Sequence, residues 1–385
     1  MPSPKKIVLL GATGSIGDST LKVIRQHPDK LQLVGIAANR NQQQLAAICQ
    51  EFNVAHIGLF DASACDDARH SNDFPSNTTF YSGITGLCEL AALSEADATL
   101  VAVVGTDGLR PALAAIEAGK ELAIASKEIL VLAGKFIMEA AARKGVSILP
   151  VDSEHNAIFQ CLQGIDQNHV EKIILTASGG PFRDLPLDQF SNVTLEQALK
   201  HPNWDMGPKI TLDSATMANK GLEMIEARWL FQAKPSQIDV IVHPPSIVHS
   251  MVQCIDGSVL AQLCPPDMTF AIQHALLYPG RSQATSAALD FTQAMQLEFR
   301  PLDDARYPCL GLARHAMEAC GVAPGIYNAA NEIAVDAFVK GKIRFTDIAK
   351  IIEKTLEKID NLEPSSLEEV LAYDAKARQT ASDLI

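Results

Sequence analysis

Two acidic residues follow an apolar run, and their spacing suits metal binding. Asp152 and Glu154 come after the strand-like run Val146-Ser-Ile-Leu149 and before the helix-like run Ala157-Ile-Phe-Gln-Cys-Leu162. In an extended chain, residues two apart point the same way, so both carboxylates would face one side. Hard divalent cations such as Mg²⁺ and Mn²⁺ take oxygen ligands and keep positions open for substrate. The alternative is an ordinary helix start, with an N-cap and acidic residues in the first turn.

A second polar cluster lies farther along the chain, on a helix-like segment. Asn219, Lys220 and Glu223 occupy positions i, i+1 and i+4, which fall on nearly one face of a helix. Lys220 is a cation suited to a phosphate, Asn219 and Ser214 are neutral donors, and Glu223 is a third carboxylate. The alternative is the ordinary polar surface of a helix that carries Lys and Glu.

The segment before this cluster, residues 201–208, has the composition of a mobile loop. It contains His, Pro and Gly together with the amphipathic Trp204. Such a loop can close over a site and exclude water from it.

A glycine-rich turn near the amino terminus predicts a nucleotide site. The apolar run Lys6-Ile-Val-Leu-Leu10 enters a turn with glycines at 11, 14 and 17, and helical spacing of Leu21 and Ile24 follows. Glycines there let the backbone approach a pyrophosphate, to which helix amides donate. The spacing is GxxGxxG rather than GxGxxG, and the pattern is informative because a strand precedes it and a helix follows.

The next strand-like run ends in residues that favour NADP(H). Leu31-Gln-Leu-Val-Gly-Ile-Ala-Ala38 is followed by Asn39, Arg40 and Asn41. NAD enzymes usually place an acidic residue here to hold the ribose 2′-hydroxyl, whereas Arg and Asn accommodate a 2′-phosphate. The alternative is a solvated helix start, because Arg is common in such loops.

The elements that must position these residues form an α/β fold. Further runs at 55–60, 98–104 and 121–125 are rich in Val, Ile, Leu and Ala without strict alternation, which is typical of parallel strands buried on both faces. Right-handed crossovers then predict a doubly wound, Rossmann-like sheet. Lys127 and Glu128 follow the last of these runs, at the carboxyl edge where such sheets bind ligands.

Changes of pattern predict the domain boundaries. Residues 1–150 form the Rossmann-like domain, and 151–290 form a central α/β domain that contains the loop 201–208 and a hairpin at Asp256-Gly257. Residues 291–308 are a connector. Residues 309–385 read as a small bundle of amphipathic helices, with caps expected at Asn331 and Thr346.

Composition excludes several classes of protein. The net charge of −13 disfavours nucleic acid as a partner. No apolar run approaches the roughly 20 residues that span a bilayer, and the chain start does not resemble a signal peptide, so we expect no membrane association and a cytoplasmic location. Eight cysteines without a C-x-x-C pair favour reduced, buried thiols over disulfides or zinc.

A series of motifs along almost the whole chain resembles the 1-deoxy-D-xylulose 5-phosphate reductoisomerase family. The motifs are Gly11-Ala-Thr-Gly-Ser-Ile-Gly17, Ala125-Ser-Lys-Glu128, Pro150-Val-Asp-Ser-Glu-His-Asn156, Thr176-Ala-Ser-Gly-Gly-Pro-Phe182, His201-Pro-Asn-Trp204, Asp213-Ser-Ala-Thr-Met217 and Asn219-Lys-Gly-Leu-Glu223. The resemblance implies NADPH, a divalent Mg²⁺ or Mn²⁺ ion, a small phosphorylated sugar substrate and a homodimer. It also implies rearrangement and reduction of 1-deoxy-D-xylulose 5-phosphate to 2-C-methyl-D-erythritol 4-phosphate.

The same resemblance implies roles for individual residues. The metal ligands would be Asp152, Glu154 and Glu223, and with Lys127 and His201 these would be the catalytic residues. The substrate contacts would be Lys127, Ser153, Glu154, Ser178, His201, Ser214, Asn219, Lys220 and Glu223. The cofactor contacts would be Thr13, Gly14, Ser15, Ile16, Asn39, Arg40, Asn41, Ser126, Glu128 and Gly207.

The chain departs from the family pattern at two places. The family often has Gly-Lys-Asn where this chain has Asn39-Arg-Asn41, and often Asn where this chain has Ser126.

Two other functions are alternatives to the one that the family resemblance implies. One is an NADP-dependent semialdehyde or acyl-phosphate dehydrogenase, which needs a cysteine nucleophile with a histidine base. The other is a non-enzymatic NADP-binding sensor, which leaves three carboxylates and the Trp204 loop without a purpose.

Overall fold

The computed structural model describes residues 3–204 and 206–385, and within them the strands form one seven-stranded and one four-stranded sheet. The strands are β1 (Lys5–Leu10), β2 (Leu31–Ala38), β3 (His56–Leu59), β4 (Thr79–Ser82), β5 (Ala98–Val101), β6 (Glu121–Ile124), β7 (Ile148–Pro150), β8 (Val170–Ala177), β9 (Ile238–Val242), β10 (Val248–Cys254) and β11 (Val259–Leu263). The helices are α1 (Ser15–Gln26), α2 (Gln42–Phe52), α3 (Ala62–His70), α4 (Gly83–Ala91), α5 (Leu109–Glu117), α6 (Lys127–Lys144), α7 (Ser153–Cys161), α8 (Leu195–Ala198), α9 (Pro208–Thr216), α10 (Ala218–Phe231), α11 (Met268–Leu277), α12 (Pro308–Ala319), α13 (Ala323–Val339), α14 (Asp347–Lys358) and α15 (Leu367–Ser382).

The larger sheet confirms the predicted doubly wound fold. Its order is β4-β3-β2-β1-β5-β6-β7, and every neighbouring pair is parallel. The strand order reverses direction between β1 and β5, where sheets of this type bind ligands beyond the carboxyl ends of the strands. The short strand β4 was not expected from the sequence, because it is only partly buried and lacks a long apolar run.

The glycines of the β1–α1 turn allow backbone segments to approach closely. Gly11 has a φ of +94°, and a Cβ there would lie 2.4 Å from the carbonyl oxygen of Ala102. A Cβ at Gly17 would lie 2.4 Å from the carbonyl oxygen of Gly11. Both positions therefore require glycine, whichever ligand the turn binds.

The smaller sheet has the order β11-β10-β8-β9, with β8 and β9 parallel and the other pairs antiparallel. The predicted hairpin is present, since β10 and β11 pair across the turn that contains Asp256 and Gly257. Strand β11 lies at the edge of this sheet, and its Val259 and Leu260 side chains are exposed.

The carboxyl-terminal helices include one correction to the sequence interpretation. Thr346 lies at the predicted position before α14, but its side chain makes no capping hydrogen bond, and Asn331 does not cap a helix. It is fully buried inside α13, and its side-chain amide donates to Asp213 Oδ1 at 2.9 Å. An Asn inside a helix is explained here by a partner on another helix, which sequence periodicity does not reveal.

The chain divides into two compact units. Unit 1 comprises the residues up to Ile129, Lys135–Asn156 and Asp267–Ala288, and unit 2 comprises Leu130–Gly134, Ala157–Pro266 and Leu289–Ile385. The four-part division made from the sequence stays a prediction.

No helix in the described part of the chain is long and apolar enough to cross a membrane. Over the same residues, all eight cysteines are free thiols.

Helix α10, which carries the second polar cluster, packs against α12 through a glycine. A Cβ at Gly221 would lie 2.4 Å from the Ala313 Cβ and 3.1 Å from the hydroxyl of Tyr327. Gly311, on α12, is exposed, and a Cβ there would meet no atom within 4 Å. The two glycines thus differ in packing, although both lie in helices of unit 2.

We therefore expect opposite effects from the same substitution. Gly221→Ala should lower the free energy of unfolding by about 1–3 kcal/mol through overpacking of α10 against α12. Gly311→Ala should raise it by about 0.5–1 kcal/mol, because alanine restricts the unfolded chain and favours helix. Urea unfolding of the two variants measures both values, and equal effects would contradict this packing.

Candidate functional site

The acidic pair of unit 1 lies at the start of α7, directly after β7. Asp152 Oδ2 lies 2.5 Å from the ammonium of Lys127, and the Ser153 hydroxyl donates to Glu154 Oε2 at 2.6 Å. Carboxylate oxygens of Asp152 and Glu154 lie within 4.8 Å of one another. The side chain of Lys127 is 6% exposed and that of Asp152 12%, so this ion pair is largely removed from water.

The helix-start alternative is also visible in the local structure. The Asn156 amide donates to the Asp152 carbonyl at 2.8 Å, which begins α7, and the Ser153 amide donates to Asp152 Oδ1 at 3.0 Å. Glu154 lies in the first helical turn. These contacts do not exclude a metal, because each carboxylate has two oxygens and several lone pairs. An all-oxygen donor set of this kind fits Mg²⁺ or Mn²⁺.

Residues after β6 lie where the sequence predicted them, at the carboxyl end of the sheet. Ser126, Lys127 and Glu128 begin α6 and are all buried. The Ser126 hydroxyl donates to the Val103 carbonyl, which ties the end of β6 to the segment after β5.

The polar cluster of unit 2 is assembled by a break between two helices. Met217, with a φ of +62°, ends α9 and begins α10. On α10, the Asn219 amide donates to Glu223 Oε1 at 2.5 Å, and the Lys220 ammonium pairs with Glu223 Oε2. The expected shared face is therefore confirmed. Glu223 is 1% exposed, so these partners replace the hydrogen bonds that water would otherwise make to its carboxylate.

Ser178 and His201 are in direct contact. His201 Nε2 lies 3.0 Å from the Ser178 hydroxyl oxygen, and the backbone amides of Asn203 and Trp204 donate to His201 Nδ1 at 3.2 and 3.0 Å. Since a backbone amide can only donate, Nδ1 is the acceptor and the ring hydrogen is on Nε2. Burial lowers the pKa of His201 to about 4, and the positive charge of Arg183 adds to this effect. The ring is therefore neutral at pH 7 and donates to Ser178.

Ser178 is held with its hydroxyl hydrogen directed away from these two donors. Its oxygen accepts from His201 and also from the Gly180 amide at 3.1 Å. Gly180 packs closely on α9, since a Cβ there would lie 2.6 Å from the Ser214 carbonyl oxygen. The Ser178 loop and the Ser214 turn of α9 are thus in contact, as a shared ligand site would require.

The glycine turn of unit 1 fits an anion. Helix α1 follows N-cap Gly14, which has no side chain to cap the first amides. Gly14 and Ser15 are exposed, Thr13 and Ile16 half-buried, and a Cβ at Gly14 would have only the Gly11 carbonyl oxygen, at 3.6 Å, nearby. Amides at an open helix start of this kind bind phosphate groups.

The predicted 2′-phosphate residues follow β2. Arg40 is exposed, and its Nε and Nη2 atoms lie 2.8 and 2.6 Å from Asp61 Oδ2. Asn41 caps α2, accepting from the Gln44 amide at 3.1 Å, so its side chain is occupied by the helix start. Asn39 is exposed beside them.

The remaining predicted residue is Gly207, which precedes α9 and is exposed. Asp205, inside the predicted mobile loop, lies outside the described residues. Trp204 is half-buried, with its ring edge-on to His249 at 6.1 Å between centroids.

Comparison with known proteins identifies the family. Models described as 1-deoxy-D-xylulose 5-phosphate reductoisomerase, its C-terminal domain and the DXP reductoisomerase C-terminal domain match residues 7–134, 148–231 and 263–380. A 1-deoxy-D-xylulose 5-phosphate reductoisomerase from Geobacillus sp. (strain WCH70) is 50% identical, over 99% of this chain and 100% of the relative. The chain belongs to the 1-deoxy-D-xylulose 5-phosphate reductoisomerase family.

Solved structures of the reductoisomerase family share the fold. The enzyme from Zymomonas mobilis in complex with NADPH has a TM-score of 0.93 and 45% identity, over 99% of each chain. A DOX-P reductoisomerase in complex with NADPH, fosmidomycin and magnesium has a TM-score of 0.92 and 42% identity, over 98% of each chain. The whole of the α/β and helical architecture is therefore that of the family.

The structure also reveals polar residues that sequence reasoning missed. His155 is fully buried, with Nδ1 4.0 Å from Asp152 Oδ2. Asp61 both pairs with Arg40 and caps α3. His155 could have been found from its place in the acidic motif, whereas Asp61 has no local signal, since its partner lies on the preceding strand's loop.

The neutral state of His201 is a testable consequence of this geometry. Its folded pKa of about 4 lies below the ordinary 6.5, so the unfolded chain binds more protons between these values. Its contribution to the free energy of unfolding should therefore fall as pH drops from about 6.5 towards 4. ¹⁵N spectra of the ring, assigned with His201→Gln, should show the neutral Nε2–H tautomer at about pH 6–8. An imidazolium signal at about pH 6 would contradict this assignment.

Proposed function

We propose that this chain catalyses the NADPH- and divalent-metal-dependent conversion of 1-deoxy-D-xylulose 5-phosphate to 2-C-methyl-D-erythritol 4-phosphate. The observation that carries the proposal is identity of 50% to a 1-deoxy-D-xylulose 5-phosphate reductoisomerase over 99% of this chain. The related structures described as bound to NADPH, fosmidomycin and magnesium support the same cofactors here.

The proposed metal ligands are Asp152, Glu154 and Glu223. The first two offer neighbouring oxygens at the start of α7, and the third is a buried carboxylate on α10. When bound, a divalent ion supplies Lewis-acid polarisation of the substrate's carbonyl and adjacent hydroxyl oxygens. Lys127, held by Asp152, places a fixed positive charge beside that carboxylate, where it can stabilise oxyanion character during the rearrangement.

The proposed phosphate site consists of donors from unit 2. Ser178 accepts from His201 and Gly180, so its own hydrogen is directed to a ligand. Ser214, Asn219 and Lys220 supply further hydrogen-bond donors. Binding the phosphate at these donors orients the reacting carbons, and Trp204 covers the substrate and excludes water. Ser153 is a further proposed substrate contact.

The proposed cofactor contacts are the β1–α1 turn, the Asn39–Asn41 segment, Ser126, Glu128 and Gly207. NADPH supplies the hydride that reduces the rearranged aldehyde. The open amides at the start of α1 fit its pyrophosphate, and the exposed Arg40 guanidinium fits its 2′-phosphate.

The semialdehyde dehydrogenase alternative is not favoured by the buried thiols of Cys161 and Cys309. Burial raises the pKa of the Cys161 thiol to about 11 and that of Cys309 to about 12. A thiolate nucleophile instead needs a lowered pKa. A non-enzymatic sensor does not account for the paired Lys127 and Asp152 or for the buried Glu223 cluster.

We also propose a homodimer, a cytoplasmic location, Mn²⁺ as a second usable metal and the four-part domain division. Edge strand β11, with exposed Val259 and Leu260, supports a homodimer, because the backbone N–H and C=O groups of an edge strand can pair with a second chain. The free cysteines support a reducing, cytoplasmic location. The oxygen ligands suit Mn²⁺ as well as Mg²⁺. Domain boundaries at 150, 290 and 308 are proposed as the sequence predicted them.

The direct test is NADPH oxidation with 1-deoxyxylulose 5-phosphate and Mg²⁺ or Mn²⁺. We expect turnover that EDTA abolishes, and a loss of at least about 100-fold in kcat for Glu223→Gln, because a ligand of the ion becomes neutral. NADPH affinity should change little. Glu196→Gln, the same change at an exposed residue that pairs with Lys200, is the matched control and should retain activity. Full activity in EDTA would contradict the metal proposal.

Cofactor preference tests Arg40. Arg40→Ala should raise the KM for NADPH roughly tenfold and leave the KM for NADH nearly unchanged, since only NADPH has the 2′-phosphate. Arg25→Ala removes another exposed arginine paired with a carboxylate, Glu51, and should change neither value. A wild-type enzyme that uses NADH and NADPH equally would rule out this role.

A further inference from the structure

The turn between β9 and β10 is shaped by the side chain of its first residue, His243. The backbone amides of Ile247 and Val248 donate to His243 Nε2 at 3.2 and 3.1 Å. Nε2 is therefore the acceptor, and Nδ1 carries the hydrogen that is donated to the Glu298 carbonyl at 2.6 Å. Phe299 stacks on the ring at 4.6 Å. Burial lowers the pKa of His243, which favours this neutral form.

The same turn holds Ser246 in an unusual backbone conformation. Ser246 has a φ of +54°, a region that residues with a side chain rarely adopt. Its amide donates to the His243 carbonyl at 3.1 Å, which closes the turn. Strained backbone of this kind persists only where the surrounding structure enforces it, and it clusters at functional sites. The Ser246 side chain does have such a partner, Asn203.

Asn203 joins the turn to the loop that carries His201 and Trp204. Its side-chain amide donates to the Pro244 carbonyl and to the Ser246 hydroxyl oxygen, the latter at 2.9 Å. Its backbone amide, with that of Trp204, donates to His201 Nδ1. Asn203 therefore binds the turn through its side chain, and its backbone amide helps to fix the tautomer of His201.

We propose that Asn203 and the turn His243–Ser246 are positioning residues that hold His201 and Trp204 in their working geometry. The proposal rests on the proposed reductoisomerase function. Docking of Asn203 on the turn fixes the backbone whose amides donate to His201 Nδ1. His201 then presents Nε2–H to Ser178, and Ser178 directs its hydroxyl towards the phosphate. None of the turn residues needs to touch the substrate.

The sharpest variant is Asn203→Asp, which keeps the shape and removes the donor. It should raise the KM for 1-deoxyxylulose 5-phosphate and lower kcat, with a combined loss in kcat/KM of roughly tenfold or more. The KM for NADPH and the thermal midpoint should stay close to wild type. Asn168→Asp, the same change at an exposed residue, is the control and should have no effect.

Ser246→Gly provides a graded comparison. Glycine adopts the positive φ freely but lacks the hydroxyl, so one of the two acceptors of Asn203 is lost while the turn is retained. We expect a smaller loss in kcat/KM than for Asn203→Asp, with the same unchanged KM for NADPH.

A readout without turnover separates this proposal from the proposed function. In a Trp229→Phe background, Trp204 is the only tryptophan, and Asn203→Asp should change its emission in the substrate-free enzyme. Ring ¹⁵N spectra of the wild type should show Nδ1–H for His243 and Nε2–H for His201. If wild type does not turn over the sugar phosphate, the function fails, and these spectra still test the positioning.

Three outcomes would overturn the positioning role. The first is an unchanged Trp204 emission together with unchanged kcat and KM in Asn203→Asp. The second is a loss of activity that follows the thermal midpoint or the KM for NADPH, which would indicate a merely structural role. The third is the same ring tautomer in both histidines.

Discussion

In both units, charged side chains lie where little water reaches them and must be compensated by a neighbour. Glu223 and Lys220 are 1% and 3% exposed, and a buried charge without a partner costs several kcal/mol. Each charge is therefore stabilised by a neighbour in its own unit: Glu223 by Lys220 and Asn219 on α10, and Asp152 by Lys127 in unit 1. Removing one member would leave the other uncompensated, so these groups behave as pairs.

Helix α10 can hold the buried cluster of Asn219, Lys220 and Glu223 because carboxyl-terminal helices pack against it. Gly221 lets α12 approach, and the fully buried Tyr327 on α13 lies beside the same glycine. On α9, Asp213 is clamped between Lys209 at 2.7 Å and Asn331 at 2.9 Å. The carboxyl-terminal helices therefore share a hydrophobic core with α9 and α10, and a mutation in that core can disturb the polar cluster on α10 without replacing any of its residues.

Hydrogen-bond direction determines the ring tautomers of two histidines in unit 2, His201 and His243. Backbone amides donate to Nδ1 of His201 but to Nε2 of His243, so the two rings adopt opposite tautomers. Both rings remain neutral because burial opposes protonation. His201 accordingly acts as a donor to Ser178, and a role as a general base is not needed to explain its position.

The sequence by itself determined most of the elements and the residue types available to the candidate site. Apolar runs were sufficient to predict buried strands such as β1 and β2, and residue type identified the carboxylates, the lysines and the glycine turn. Half-buried elements were harder, and β4 was missed because it has no strong period. Trp229, in the apolar run 227–231, is only half-buried, although its ring packs on Gly134. Only the tertiary structure decided which distant groups pair, such as Asn331 with Asp213, Arg40 with Asp61 and Asn203 with Ser246. The reason is physical: periodicity reports which face of an element is buried, whereas a hydrogen bond between elements depends on their relative placement, which no local pattern encodes.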